Sequence, residues 1–235
     1  DNLYYALFSG AERHLKVVRT LHTKWKGLTR SDLLKTLNLS DGGNFSQVIN
    51  DLVKCDFILE LQDFRNKKNH ITYRLIDEFS IFYLSFIEDT SNVPNTYWHN
   101  MITNKVYQTW CGYAFENLCF RHQNQIIKAL ELQAIHTAIS SYTIYGNEEM
   151  QGIQIDMLVD RADGVINLIE IKYHNEPYII TKNYDHQLRT RMAIFRNASK
   201  TRKTIFTSMI SVYGTIPNQY SQSLLAHDIS LVDLI

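Results

Sequence analysis

Gln151-Gly-Ile-Gln-Ile-Asp-Met-Leu-Val-Asp160, followed by Val165-Ile-Asn-Leu-Ile-Glu-Ile-Lys-Tyr173, is the stretch that decides how this chain reads. In the first run Ile153, Ile155, Met157 and Val159 alternate with Gln154, Asp156 and Leu158, the period of two expected of a strand. In the second, Ile166, Leu168, Glu170 and Lys172 share one face, and Val165, Asn167, Ile169, Ile171 and Tyr173 share the other. A carboxylate and an ammonium inside an apolar strand cost several kcal/mol unless they are paired or coordinate something. The turn sets the register. A three-residue loop, Ala162-Asp163-Gly164, with glycine in the left-handed position, pairs residues whose numbers sum to 326, which sets Asp156 opposite Glu170 on one side of the sheet. A two-residue Asp163-Gly164 turn would match Asp156 with Ile171 and throw the acids to opposite faces. The first register is preferred. Two opposed carboxylates repel, so the arrangement calls for a divalent cation between them, with Lys172 one pleat away.

Asp156 and the Glu170-Ile171-Lys172 triplet resemble the PD-(D/E)XK motif of restriction-endonuclease-like phosphodiesterases, although Ile155 stands where the motif's proline would be. Gly112-Tyr-Ala-Phe-Glu116-Asn, on an amphipathic segment before the strands, matches the place where those nucleases often carry a glutamate. The resemblance implies Mg²⁺ or Mn²⁺ held by Asp156, Glu170 and the Ile171 carbonyl, and Glu116 on a metal-bound water or a second ion. It also implies Lys172 beside the attacking water or the scissile phosphate, so that Glu116, Asp156, Glu170 and Lys172 form the catalytic set. The bland alternative for Asp156, Glu170 and Lys172 is a solvated face or a salt bridge. Residues 2–8 (NLYYALF), 27–32 (GLTRSD) and 112–117 (GYAFEN), with the E-I-K strand, resemble the C-terminal half of archaeal-type prokaryotic ATPases. In these an AAA-like module precedes a winged helix and a nuclease-like domain. No G-x-x-x-x-G-K-[ST] occurs here, so the implied ATPase module is a partner absent from this chain. The start at Asp1, without a methionine, is read as a sign of an excised fragment.

The first third predicts helices over Ala11–Lys24, the short segment after Thr29, and Asn44–Lys54, followed by β-prone runs Phe57–Leu61 and Ile71–Ile76. Thr29 with Asp32 makes an imperfect capping box. The polar loop between the strands carries Arg65, Lys67 and Lys68. Three helices and a β-wing resemble a winged helix-turn-helix, in which the third helix meets a major groove and the wing meets phosphates; many such modules dock proteins instead. Phe79, Phe82, Tyr83 and Phe86 fall at i, i+3, i+4 and i+7 and are expected in the core. Residues 89–95 (DTSNVPN) are the linker candidate, giving a winged-helix domain over 1–90 and a nuclease-like domain over 91–235. The fold class is therefore α/β (α+β overall), a winged helix followed by a mixed sheet flanked by helices.

The 235 residues carry 24 Lys plus Arg against 24 Asp plus Glu, so no global field draws the molecule to nucleic acid or an anionic membrane. Positive charge is local. Residues 182–203 hold seven basic side chains against Asp185, and Lys182, Arg189, Arg196, Lys200 and Lys203 gather on the flank of a helix whose apolar stripe is Tyr184, Leu188, Met192 and Phe195. Such a run is either a solvated face or a surface that tracks phosphates. The three cysteines, without C-x-x-C spacing, are expected to be buried thiols, and the histidines show no metal-ligand spacing. No apolar run or signal segment points to a membrane, and a cytoplasmic setting is expected. The expected function is metal-dependent hydrolysis of DNA within a larger ATPase. Its alternative is a catalytically silent DNA-binding or protein-docking module of that ATPase, with self-association as a further expectation.

Overall fold

The structure, a computed structural model, describes residues 2–64, 71–90, 96–144, 146 and 152–235. Arg65, Lys67 and Lys68, and residues 91–95 of the expected linker, lie outside the described residues. The chain divides into two compact units, residues 1–102 and 103–235, each with helices and its own antiparallel or mixed sheet, an α+β architecture.

The first unit runs α1 (Asn2–Leu7), α2 (Ala11–His22), β1 (Leu28–Thr29), α3 (Arg30–Leu37), α4 (Gly43–Lys54), β2 (Ile58–Gln62), β3 (Ile71–Leu75), α5 (Glu78–Phe86) and α6 (Tyr97–Ile102). Thr29 caps α3 by accepting the Asp32 backbone N–H at 3.2 Å, the cap predicted from the sequence. Strand β3 lies between β1 and β2, antiparallel to both. The core is built from Val17, Val18 and Leu21 of α2, Leu33 of α3 and Ile49 and Leu52 of α4, each removing apolar surface worth about 1.5–3 kcal/mol from water. Two expectations are corrected here. Phe79 is 63% exposed, because α5 turns Ser80 and Ile81 inward, where the Tyr4 and Ser80 hydroxyls meet at 2.7 Å. Cys55, one residue beyond α4, is exposed, whereas Cys111 and Cys119 are buried.

The second unit runs α7 (Lys105–Arg121), α8 (Gln123–Ala129), β4 (Thr137–Ile144), β5 (Ile153–Arg161), β6 (Val165–Lys172), α9 (Lys182–Ser199), β7 (Thr204–Ser211), α10 (Gln219–Leu224), β8 (Leu225–Ser230) and a closing 3₁₀ turn, Leu231–Leu234. Its sheet has the order β4-β5-β6-β7-β8, with antiparallel pairs β4–β5 and β5–β6 and parallel pairs β6–β7 and β7–β8. Helix α7 packs on β6, and α9 packs on β5 and β7. Strand β6 is thus covered and buried along nearly its whole length, which is why its sequence is almost continuously apolar. Ile180, Leu188, Met209 and Leu224 form the cluster under α9. Among the described residues no helix is long and apolar enough to cross a membrane.

Candidate functional site

The site begins at the β5–β6 turn. Gly164 adopts φ +84°, and the pairs Met157↔Ile169, Leu158↔Leu168, Val159↔Asn167 and Asp160↔Ile166 follow the register of the three-residue loop. The ladder ends one step short of Asp156 and Glu170. At that step the Asp156 carboxylate accepts the Ile171 backbone N–H at 3.0 Å instead of leaving the strands to continue pairing. A side chain has replaced a ladder hydrogen bond, and the strands are free to open where Asp156, Glu170 and Lys172 face α9.

Helix α9 closes that opening. Thr181 caps it by accepting the Tyr184 N–H at 3.3 Å, which fixes where the first turn starts. Tyr184, which the sequence placed on the apolar stripe, sends its hydroxyl to donate to Glu170 Oε1 at 2.6 Å. Two turns on, Arg191 Nη1 donates to Glu170 Oε2 at 2.8 Å, and Lys172 Nζ lies 2.9 Å from Glu170 Oε1. The Glu170 side chain is only 6% exposed, yet both its oxygens are engaged by three donors. That is the condition under which a buried charge is tolerated.

The two acids have opposite electrostatic fates. Burial raises the pKa of Asp156 from 3.8 to about 7, with the Glu170 and Glu116 charges adding to the effect and the Ile171 N–H and Lys172 opposing it. Burial also works against the Glu170 anion, but Lys172, Arg191 and the Tyr184 hydrogen bond outweigh it and hold this carboxyl below its ordinary value. Lys172 and Arg191 are correspondingly held above theirs, since Glu170 outweighs the desolvation that acts against both cations. The Tyr184 phenol is pushed up by burial and by the adjacent carboxylate.

A cavity of about 460 Å³ lies over this cluster, with Asp156, Glu170, Lys172 and Arg191 in its wall. Glu116, on α7, is half-buried and acts on Asp156 through its charge. Carboxylates at Asp156 and Glu170 with a backbone carbonyl nearby are the right donor chemistry for Mg²⁺. The arrangement is not: both Glu170 oxygens are committed to protein donors. Among the described residues no group of three or more His, Cys, Asp or Glu side chains is placed to hold a metal ion.

The basic flank of α9 is only partly available. Arg189 donates to Asp185 at 2.9 Å and to Ser223 at 3.0 Å, and Lys203 donates to Asp160 at 2.5 Å and to the Arg161 carbonyl at 2.8 Å. Lys182, Arg196 and Lys200 are exposed. Tyr184 and Arg191 were missed as site residues because the helical wheel reads Tyr184 as part of an apolar stripe and assigns Arg191 to neither that stripe nor the basic flank. The signal was there: 184, 187, 188 and 191 fall within one face of a 3.6-residue helix, so the sheet-facing stripe carries polar groups.

No protein-family profile matches the chain, and no curated protein matches it. A solved structure, the crystal structure of a protein of unknown function called AF1548, is similar at 18% identity over 45% of this chain, with a TM-score of 0.33. The likeness spans about half of that protein, 52%, and at this TM-score carries no statement about fold or function.

Proposed function

We propose that this chain is a regulatory module that binds the phosphodiester backbone of nucleic acid at Lys172 and Arg191 and, in the arrangement described, does not cut it. In this reading residues 1–102 are a winged helix-turn-helix and residues 103–235 a restriction-endonuclease-like domain. The module belongs to a larger cytoplasmic ATPase whose nucleotide-hydrolysing part lies outside this chain. The observation that carries the reading is the engagement of both Glu170 oxygens by Tyr184, Lys172 and Arg191. A carboxylate so held is a poor metal ligand, while its two cations present remaining donors to the cavity, and phosphate is an anion that both arginine and lysine bind. Lys182, Arg196 and Lys200 would extend the contact along the backbone.

Fluorescence anisotropy with labelled DNA in EDTA tests this. Binding should weaken as salt rises and fall about tenfold in Arg191→Ala. Salt-independent binding, or an unchanged Arg191→Ala, would reject it.

A second reading, Mg²⁺- or Mn²⁺-dependent hydrolysis, is favoured by the convergence of Asp156 with Glu170 in one cavity. It requires Glu170 to release Lys172 or Arg191. Calorimetric Mn²⁺ binding that disappears in Asp156→Ala would support it, and no binding by the wild-type chain would remove it.

A further inference from the structure

The cavity over Glu170 has a second wall that the ion-paired cluster does not use. Gln154 from β5 and His186 and Gln187 from α9 line it, and among the described residues their side chains make no hydrogen bond. Each offers a donor and an acceptor, the pairing capability that a base edge requires and a phosphate does not. An aromatic rim runs outward from the same cluster. Lys172 Nζ lies 5.5 Å from the Tyr184 ring centre, the Tyr184 and Tyr178 rings meet edge-on at 5.6 Å, and Tyr178 meets the exposed His174 edge-on at 5.9 Å. His174 and Tyr178 stand on the loop after β6 and Tyr184 on the first turn of α9, beyond the carboxyl end of the strand, where open α/β sheets bind ligands. The Tyr178 backbone is pinned there by its N–H to the Gly214 carbonyl at 2.8 Å and by the Ile216 N–H to its own carbonyl at 2.9 Å.

The cations Lys172 and Arg191 and the uncommitted side chains of Gln154, His186 and Gln187 line one cavity, and the Tyr184 ring stands 5.5 Å from Lys172 Nζ outside that lining; together they match the three parts of a nucleotide. A volume of about 460 Å³ is that of a small-ligand pocket. We propose that the cavity accepts one unstacked nucleotide of a single strand, with its phosphate at Lys172 and Arg191 and its base edge toward Gln154, His186 and Gln187. The inference rests on the phosphodiester-binding reading above and adds the state of the nucleic acid. Bases in an intact duplex keep their pairing edges occupied and cannot enter a pocket of this kind without being turned out. The neighbouring base would stack on Tyr178 and His174.

The test is anisotropy of the full chain in EDTA with three probes: a short single-stranded DNA, the duplex of the same sequence, and the single strand with abasic positions. The single strand should bind about tenfold more tightly than the duplex. His186→Ala and Gln187→Ala, both at exposed positions, should each weaken the single strand about tenfold and leave the duplex and abasic probes unchanged. Equal affinity for single strand and duplex, or equal losses on all three probes, would overturn the inference while leaving the phosphodiester-binding reading in place. Failure of the wild-type chain to bind any probe would overturn both.

Discussion

Glu88 in the first unit and Glu170 in the second are each clamped by an arginine, and they differ in depth. Glu88 accepts both Arg19 terminal nitrogens at 2.5 Å, but its side chain is 25% exposed and that of Arg19 is 41% exposed. Water and salt screen such a pair, and exposed bridges contribute about 0–1 kcal/mol. Glu170 is 6% exposed and meets two cations and a phenol. The same chemistry that decorates one unit defines the interior of a cavity in the other, because removing a partner from a buried cluster leaves a charge that water cannot reach. Burial, more than bond length, separates a structural ornament from a candidate site.

Arg191→Ala takes one of two cations from the 6%-exposed Glu170 carboxylate and should destabilise the chain by about 3 kcal/mol, measured by urea unfolding. A loss below that expected for Glu88→Ala would erase the distinction.

Asp156 sharpens it through pH. Its folded pKa, about 7, lies above its ordinary 3.8, so its favourable contribution is complete below about pH 4, where both states hold the proton. As pH rises the unfolded state ionises first, and stability falls until about pH 7. Between pH 5 and pH 8 the wild-type chain should therefore lose about 2–3 kcal/mol relative to Asp156→Asn, in which the titration is absent. Parallel pH profiles of the two proteins would show that Asp156 ionises normally. The smallest effect belongs to the surface: Glu88→Ala should cost at most about 1 kcal/mol and less in high salt.

Much of the second sheet was legible because one residue controlled it. Gly164 permits the left-handed backbone of a three-residue turn, and from it the register from Asp160↔Ile166 to Met157↔Ile169 follows by counting, ending one step short of Asp156 and Glu170. The partners of Glu170 were not legible by that route. Tyr184 and Arg191 lie 14 and 21 residues downstream, and only the packing of α9 across the sheet brings them to the carboxylate. The charge run on α9 was visible, but not that Asp185, Asp160 and Ser223 would take up Arg189 and Lys203. In the first unit, aromatic spacing implied one buried face for α5. The contact of Ser80 with Tyr4 rotates that helix, so Phe79 is left in solvent. Periodicity reports which residues share a face, while the tertiary neighbour decides which face turns inward.

The most direct test of the central claim, that Glu170 is held by Tyr184, Lys172 and Arg191 in a site that binds nucleic acid without cutting it, is a paired assay on one sample. Binding and cleavage of single-stranded and supercoiled DNA are followed together in Mg²⁺ or Mn²⁺, beside Asp156→Ala and Lys172→Ala. Salt-sensitive binding by the wild-type chain, with no more cleavage than either variant shows, is the expected result. Metal-dependent cleavage by the wild-type chain that both variants lose would contradict it.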